Sequence, residues 1–492
     1  RDRLRSRGLG DVYKRQEIQE MVEKAMRECI EVNQAQSVIC LVSDVKTGAI
    51  LAMCMNPCYD PNDPPRNDAE TLTELMRLTA ISDVYEPGST FKILTAASAL
   101  DSGVTTPQDS FYCSAKITVD GDTIRCWGRP HGAETMADGL KNSCNPVFVE
   151  LALRMGTDTF YRYLTAFGLG KKTGIDLPGE SPGILITSRN VKRVDLARIG
   201  FGQSVALTPI QMMMAANSVI NGGKLMKPYI VSEIQTPDGE TLERFHPTVM
   251  AAPIRPETSD TMRLLLERVV SEGGGKNAAI AGYRIGGKTG TAQVYKNGRV
   301  VRDTHIGSFY GFAPVNDPQV SILVIVKEAD VPIDYGGTTA APFARQIMQE
   351  MLPYLGIDPE NDEKDEEIEV PALKGLTIGD AKRKLSQVGL ESVTDGANTV
   401  VLDQLPPAGA KLVKGGHVML YTAGSEELTP EELVCVPDLT GLGDVDCARL
   451  VRQRGLMMSM TGQGLCTEQS PAAGEYVQPG TTIFLLMAGD DE

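Results

Sequence analysis

The chain has 492 residues, 42% of them apolar and 23% charged, enough for several packed domains. Its 64 acidic against 48 basic residues give a formal net charge of −16, which excludes a nucleic-acid surface built on clustered Lys and Arg. No run of about 18 apolar residues occurs, so no segment has the length of a membrane-spanning helix.

Residues 1–16 show no apolar period and read as a non-native junction, outside fold reasoning. A native amino-terminal anchor is expected upstream. From Glu17, the residues Ile18, Met21, Val22, Ala25, Met26, Cys29 and Ile30 recur at helical spacing. "SVICLV" and "AILAMC" flank "DVKTG" as a hairpin, with Gly48 at a left-handed turn position. A helix is expected to open at Ser89, and a hairpin with an Asp120-Gly121 turn to span 113–126. Helices start at Pro146 and at Thr208-Pro209; the three methionines of the latter read as core filler. Ser188 reads as the cap of a helix over "VKRVDLARI".

A helix near 257–271 precedes strands around "YRIGGKTGTAQVY", "GSFYGFAP" and "QVSILVIVKE", and "APFARQIMQEMLPYL" closes the domain. The expected class is α+β, an antiparallel sheet flanked by helices with a helical subdomain, over 17–357. Residues 358–369 carry eight carboxylates and one lysine, a solvated linker. Beyond it the chain repeats itself: Val370-Pro371, Gly375, Asp380 and Gly389-Leu390 return as Val436-Pro437, Gly441, Asp446 and Gly455-Leu456. Two small α/β modules are read, over 370–424 and 434–489, joined by a linker at 425–433.

The four histidines, His131, His246, His305 and His417, are scattered, which argues against a Ser-His-Asp triad. Ten cysteines without C-x-x-C pairs or His-interleaved spacing argue against a zinc set, so no metal or cofactor is expected. A serine can instead be activated by a neutral lysine three residues on, because positions i and i+3 share a helix face. S-x-x-K occurs at Ser43–Lys46, where a strand enters a turn, and at Ser89–Lys92, at a helix start. K-T-G occurs at 46, 172 and 288, and S-x-N at Ser143 and Ser188. Only Ser89, Ser143 and Lys288 have helix, loop and strand contexts in order.

"YEPGSTFK", "SCN" and "GGKTGTAQ" resemble the three motifs of serine penicillin-recognising enzymes. With "GFGQSVALTPIQM" and "AILAMCMNPCYDPN", the chain resembles class B penicillin-binding proteins, in the branch named for stage V sporulation protein D, and the repeats resemble PASTA modules. That resemblance implies a serine transpeptidase/β-lactamase-like domain cross-linking peptidoglycan stem peptides and acylated by β-lactams. Ser89 is then the nucleophile, Lys92 its base, Ser143 a proton relay and Asn145 a holder of Lys92 and substrate. Lys288, Thr289, Gly290 and Thr291 bind the substrate's terminal carboxylate, and the N–H groups of Ser89 and Thr291 form the oxyanion hole. It also implies the extracytoplasmic membrane face, a glycan polymerase and divisome or sporulation partners. A D,D-carboxypeptidase, a β-lactamase and a non-catalytic wall-binding scaffold remain alternatives. Cys144, inside S-x-N, is read as structural or as half of a redox pair with Cys126 or Cys113. Trp127 and His131 shape the cleft or simply pack.

Overall fold

In a computed structural model, the structure describes residues 6–60, 62–128, 130–236, 239–296, 299–359, 368–394, 400–405, 408–409, 411–412, 417–421, 434–462, 464–474, 476–477 and 482–488. The linker expected at 425–433 and most of the one at 358–369 lie outside the described residues.

Helix α1 spans Ser6–Val32, starting inside the stretch set aside as a junction, although its apolar period begins only at Ile18. Strands β1 (Ser37–Asp44) and β2 (Ile50–Asn56) form the expected hairpin. Gly48 has φ +80 in its turn, where a Cβ would stand 2.7 Å from Lys227 O. The elements that follow are α2 (Lys92–Asp101), α3 (Asn145–Ala166, interrupted at Gly156), α4 (Pro209–Ile220) and α5 (Pro256–Ser271). Then come β3 (Gly286–Lys296), β4 (Arg299–Ala313), β5 (Val320–Lys327) and α6 (Ala341–Tyr354).

The strands form one antiparallel sheet in the order β3-β4-β5-β1-β2, which leaves β3 at an edge. Val38, Cys40 and Val42 of β1 pack with Val22, Met26 and Cys29 of α1 and Ile347, Met348 and Met351 of α6 on one face. The alternate residues face α4, whose twelve residues are all buried. There Asn217 donates to Ser43 Oγ at 3.3 Å and accepts from Tyr310 OH at 2.8 Å. Covering both faces explains the unbroken apolar runs in β1 and β5: with no solvated face, alternation disappears. Each fully buried Leu, Ile or Val adds about 1.5–3 kcal/mol.

Two local expectations change. The 113–126 hairpin is shorter, Lys116–Val119 with Asp122–Arg125 around Asp120 and Gly121 at positive φ. Cys113 instead closes a strand, Ser110–Cys113, paired with Gly132–Thr135. Ser188 starts a single 3-10 turn; the helix Arg193–Ile199 is capped by Lys192, whose N–H donates to Asp195.

Each C-terminal repeat folds around its own small core. In the first, helix Ile378–Gln387 accompanies strands ordered 391–394, 417–421, 403–405; in the second, Asp444–Gln453 accompanies 457–462, 482–488, 465–470. The shared middle strand pairs parallel on one side and antiparallel on the other in both. Gln404 donates to Pro371 O and accepts from Leu373 N–H, and Gln469 repeats this with Pro437 and Leu439.

Candidate active site

Ser89 lies in a 3-10 turn, Gly88–Phe91, that runs into α2 at Lys92, not in the α-helix the sequence suggested. Three residues per turn eclipse i and i+3, so the tighter turn aligns Ser89 with Lys92 more directly. Two glycines let this turn press against β3. Gly88 has φ +53 and a Cβ there would stand 2.9 Å from Thr291 O, while a Cβ on Gly290 would stand 2.4 Å from Ser308 Oγ and 3.1 Å from Pro87 O.

Lys92 is fully buried and its Nζ lies within hydrogen-bond distance of Ser143 O at 2.6 Å, Asn145 Oδ1 at 2.7 Å and Ser143 Oγ at 3.2 Å. Its ammonium also stands 5.3 Å from the centre of the Phe148 ring. Asn145 Nδ2 donates to Arg125 O, so both ends of that amide are held. Ser143 sits at φ +57, a left-handed conformation rare for a residue with a Cβ, in the turn before α3. Lys288 Nζ reaches the same Ser143 Oγ at 3.0 Å and Thr289 O at 3.0 Å. Burial, with the nearby Lys92 charge adding to it, pushes Lys288 well below the ordinary lysine range. Thr289, Gly290 and Thr291 continue along β3 opposite Phe309, Ser308 and Gly307.

The two decoys have structural roles. Ser43 is buried and Lys46 pairs with Asp317 at 2.6 Å, while Thr173 beside Lys172 donates to Glu180.

The supporting residues were not legible as such. Gly88 N–H donates to Gly202 O, Glu86 accepts from Ser204 N–H at 2.9 Å, and Tyr85 bridges Leu207, so 202–207 clamps the serine turn. Burial raises the Glu86 pKa above the usual carboxylate range. Gly336 N–H approaches Thr291 Oγ1 at 3.4 Å, and a Cβ on Gly336 would stand 2.2 Å from Gly290 O. The only sequence signals were glycines in "GFGQS" and "YGGTT". Trp127 is 64% exposed, its indole N–H donating to Asn142 O at 2.8 Å, so it is not core.

A buried serine turn, two lysines meeting an S-x-N loop and a K-T-G edge strand define the class of penicillin-interacting serine proteins. The chain belongs to the penicillin-binding protein transpeptidase domain family, whose model matches residues 38–349, and PASTA domain models match 368–424 and 434–489. It is 38% identical over 421 residues to stage V sporulation protein D of Bacillus subtilis, covering 83% of this chain and 64% of that protein. It is 30% identical over 344 residues to the peptidoglycan D,D-transpeptidase FtsI of Escherichia coli, covering 70% of this chain and 56% of that protein. The chain thus spans less than two thirds of the length of either relative. Among solved structures, penicillin-binding protein 3 of Mycobacterium tuberculosis complexed with aztreonam superposes with a TM-score of 0.64 at 28% identity, covering 70% of this chain and 79% of that one.

Proposed function

We propose that the chain is a serine D,D-transpeptidase that cross-links peptidoglycan stem peptides through an acyl-enzyme on Ser89. The observation that carries this reading is the convergence of Lys92, Ser143, Asn145 and Lys288 in one hydrogen-bonded cluster beside the Ser89 turn. A bare serine hydroxyl is a weak nucleophile; a buried amine three residues on can take its proton as the bond to the D-Ala-D-Ala carbonyl forms. Ser143 hands a proton to the departing D-Ala amine, since its hydroxyl already contacts both amines. The acceptor peptide's amine then attacks the Ser89 ester, its proton passes by way of the lysine to Ser89 Oγ, and the new amide leaves.

Three features of β3 suit it to the donor peptide. Its edge position leaves backbone groups available for strand addition. Gly88, next to Ser89, presses on Thr291, which supports an oxyanion hole from the Ser89 and Thr291 N–H groups worth about 10²–10³ per donor. Lys288, Thr289 and Thr291 offer a charge and two hydroxyls to a terminal carboxylate, the group that D-Ala-D-Ala and β-lactams share. A carboxylate entering the cleft would restore the Lys288 charge that burial suppresses.

This chemistry belongs on the extracytoplasmic membrane face, where stem peptides are, next to a glycan polymerase and division or sporulation proteins; the names of the FtsI and sporulation relatives support that setting. Among the described residues, no helix is long and apolar enough to cross a membrane. Fluorescent penicillin should label the chain stoichiometrically and Ser89→Ala not at all. A folded wild type that stays unlabelled would refute the reading, and loss of the label within seconds would make it a β-lactamase. Release of D-Ala from a stem peptide without cross-linked product would make it a carboxypeptidase.

A further inference from the structure

His305 and Asp334 meet outside the serine–lysine cluster, one step along the sheet from its edge. Pairing of β3 with β4 sets Thr291 opposite Gly307 and Gln293 opposite His305, and the register breaks just beyond, where Val294 pairs with Val301. At that break the His305 backbone N–H donates to Asp334 Oδ2 at 2.9 Å, and the ring Nδ1 lies 2.9 and 2.8 Å from the two Asp334 oxygens. Asp334 is buried, so its carboxylate depends on these donors in place of water. The imidazole also meets the Tyr335 ring edge-on, with centroids 5.9 Å apart. Asp334 opens the turn that lies on β3. Gly336 N–H approaches Thr291 Oγ1 at 3.4 Å, and a Cβ on Gly336 would stand 2.2 Å from both Gly290 O and Ser308 O. Past that contact, Asn277 Nδ2 donates to Gly337 O at 2.6 Å, and the N–H groups of Thr338 and Thr339 donate to Tyr335 O. Asn277 therefore holds one end of the turn, and His305 holds the other.

We propose that His305 is a positioning residue for substrate binding: its Nδ1–H donates to Asp334, and the pair holds the Tyr335–Gly336 turn against Thr291. A threonine hydroxyl has one proton to give. By accepting from Gly336 N–H, Thr291 Oγ1 turns that proton away from the turn and toward an incoming carboxylate. Removing the imidazole leaves the buried Asp334 carboxylate short of a donor, and the turn relaxes away from β3. A misplacement of about 1 Å is enough to weaken a site of this kind many-fold. Because the hydroxyl grips a group remote from the bond being made, the loss falls on affinity and not on the limiting rate. The inference rests on the reading of Ser89 as nucleophile and Thr291 as carboxylate binder.

Acylation of the full chain by benzylpenicillin over a range of concentrations yields a half-saturating concentration and a limiting rate. His305→Ala should raise the first at least about tenfold and change the second less than about threefold. Asparagine places an amide N–H where Nδ1 stands, whereas glutamine places it nearer Nε2. His305→Asn should therefore return the half-saturating concentration to within about threefold of wild type, and His305→Gln should not. With Thr291→Ala already present, His305→Ala should add less than about twofold, because the hydroxyl it positions is gone. Losses that multiply in the double variant overturn the proposal, as does an asparagine variant no better than the glutamine one. Should the substituted chains misfold, nitrogen NMR of isotope-labelled histidine in the wild type decides the matter: His305 must carry a proton on Nδ1, and an unprotonated Nδ1 overturns the proposal. A folded wild type that penicillin leaves unacylated defeats the Ser89 reading instead. An acylated wild type matched by His305→Ala at every concentration defeats only the role of His305.

Discussion

Lys92 and Lys288 meet on one hydroxyl, their Nζ atoms 3.2 and 3.0 Å from Ser143 Oγ. Two buried amines so close penalise each other's charge, and the one whose pKa this depresses, on top of burial, is Lys288.

Lys288→Met makes the electrostatic side of this measurable. The Lys288 pKa is depressed in the folded state, so between that value and the unfolded 10.5 the unfolded chain binds one more proton. Stability contributed by this position therefore rises with pH across that window and is lowest below the folded value. The methionine variant should raise the melting temperature at pH 7, flatten its rise toward pH 10 and lower penicillin acylation at least about 10²-fold. An unchanged pH profile of stability would show that Lys288 is charged in the empty cleft.

Ser143→Gly should separate backbone from chemistry. Glycine accepts φ +57 without the penalty of about 1–2 kcal/mol that a Cβ carries there, so thermal stability should hold or rise. Acylation should fall by about 10²–10⁴ with the relay hydroxyl gone. Ser143→Ala should lose the same activity without the stability gain.

Gly202→Ala tests the clamp on the serine turn. A Cβ at that position would stand 2.1 Å from Gly88 O, and φ is +86. Destabilisation above about 2 kcal/mol is expected, with penicillin labelling lost at temperatures where the wild type is still labelled.

Glu86→Gln should change the acid side of the stability curve. The raised pKa of Glu86 means that the folded state holds its proton longer than the unfolded chain. Its contribution is therefore largest below the unfolded value and is lost as pH rises through the folded one. Glutamine keeps the acceptor for Ser204 N–H. Chemical denaturation should show a flatter profile above pH 4.5 and unchanged stability at lower pH.

Gln404→Ala and Gln469→Ala should act on single modules. Each strips partners from a Pro carbonyl and a Leu N–H, costing that module about 1–3 kcal/mol. Hydrogen exchange should rise in the mutated repeat alone, and penicillin acylation should be untouched.

Much of this protein was written locally. The apolar runs of β1 and β5, Pro and Thr at helix starts, the turn at Gly48 and the duplicated repeat motifs act over a few residues, so the sequence by itself determined the element types, the two-module tail and the three motifs of the site. Short-range rules failed where a neighbour distant in sequence set the geometry. Ser89 sits on a 3-10 turn because Gly202 and β3 press on it. What only the tertiary structure decided is where the alike K-T-G lysines end: Lys46 pairs with Asp317 at the surface, whereas Lys288 is buried against Ser143. Distance along the chain governs turns and helix faces; convergence of buried charges depends on distance in space.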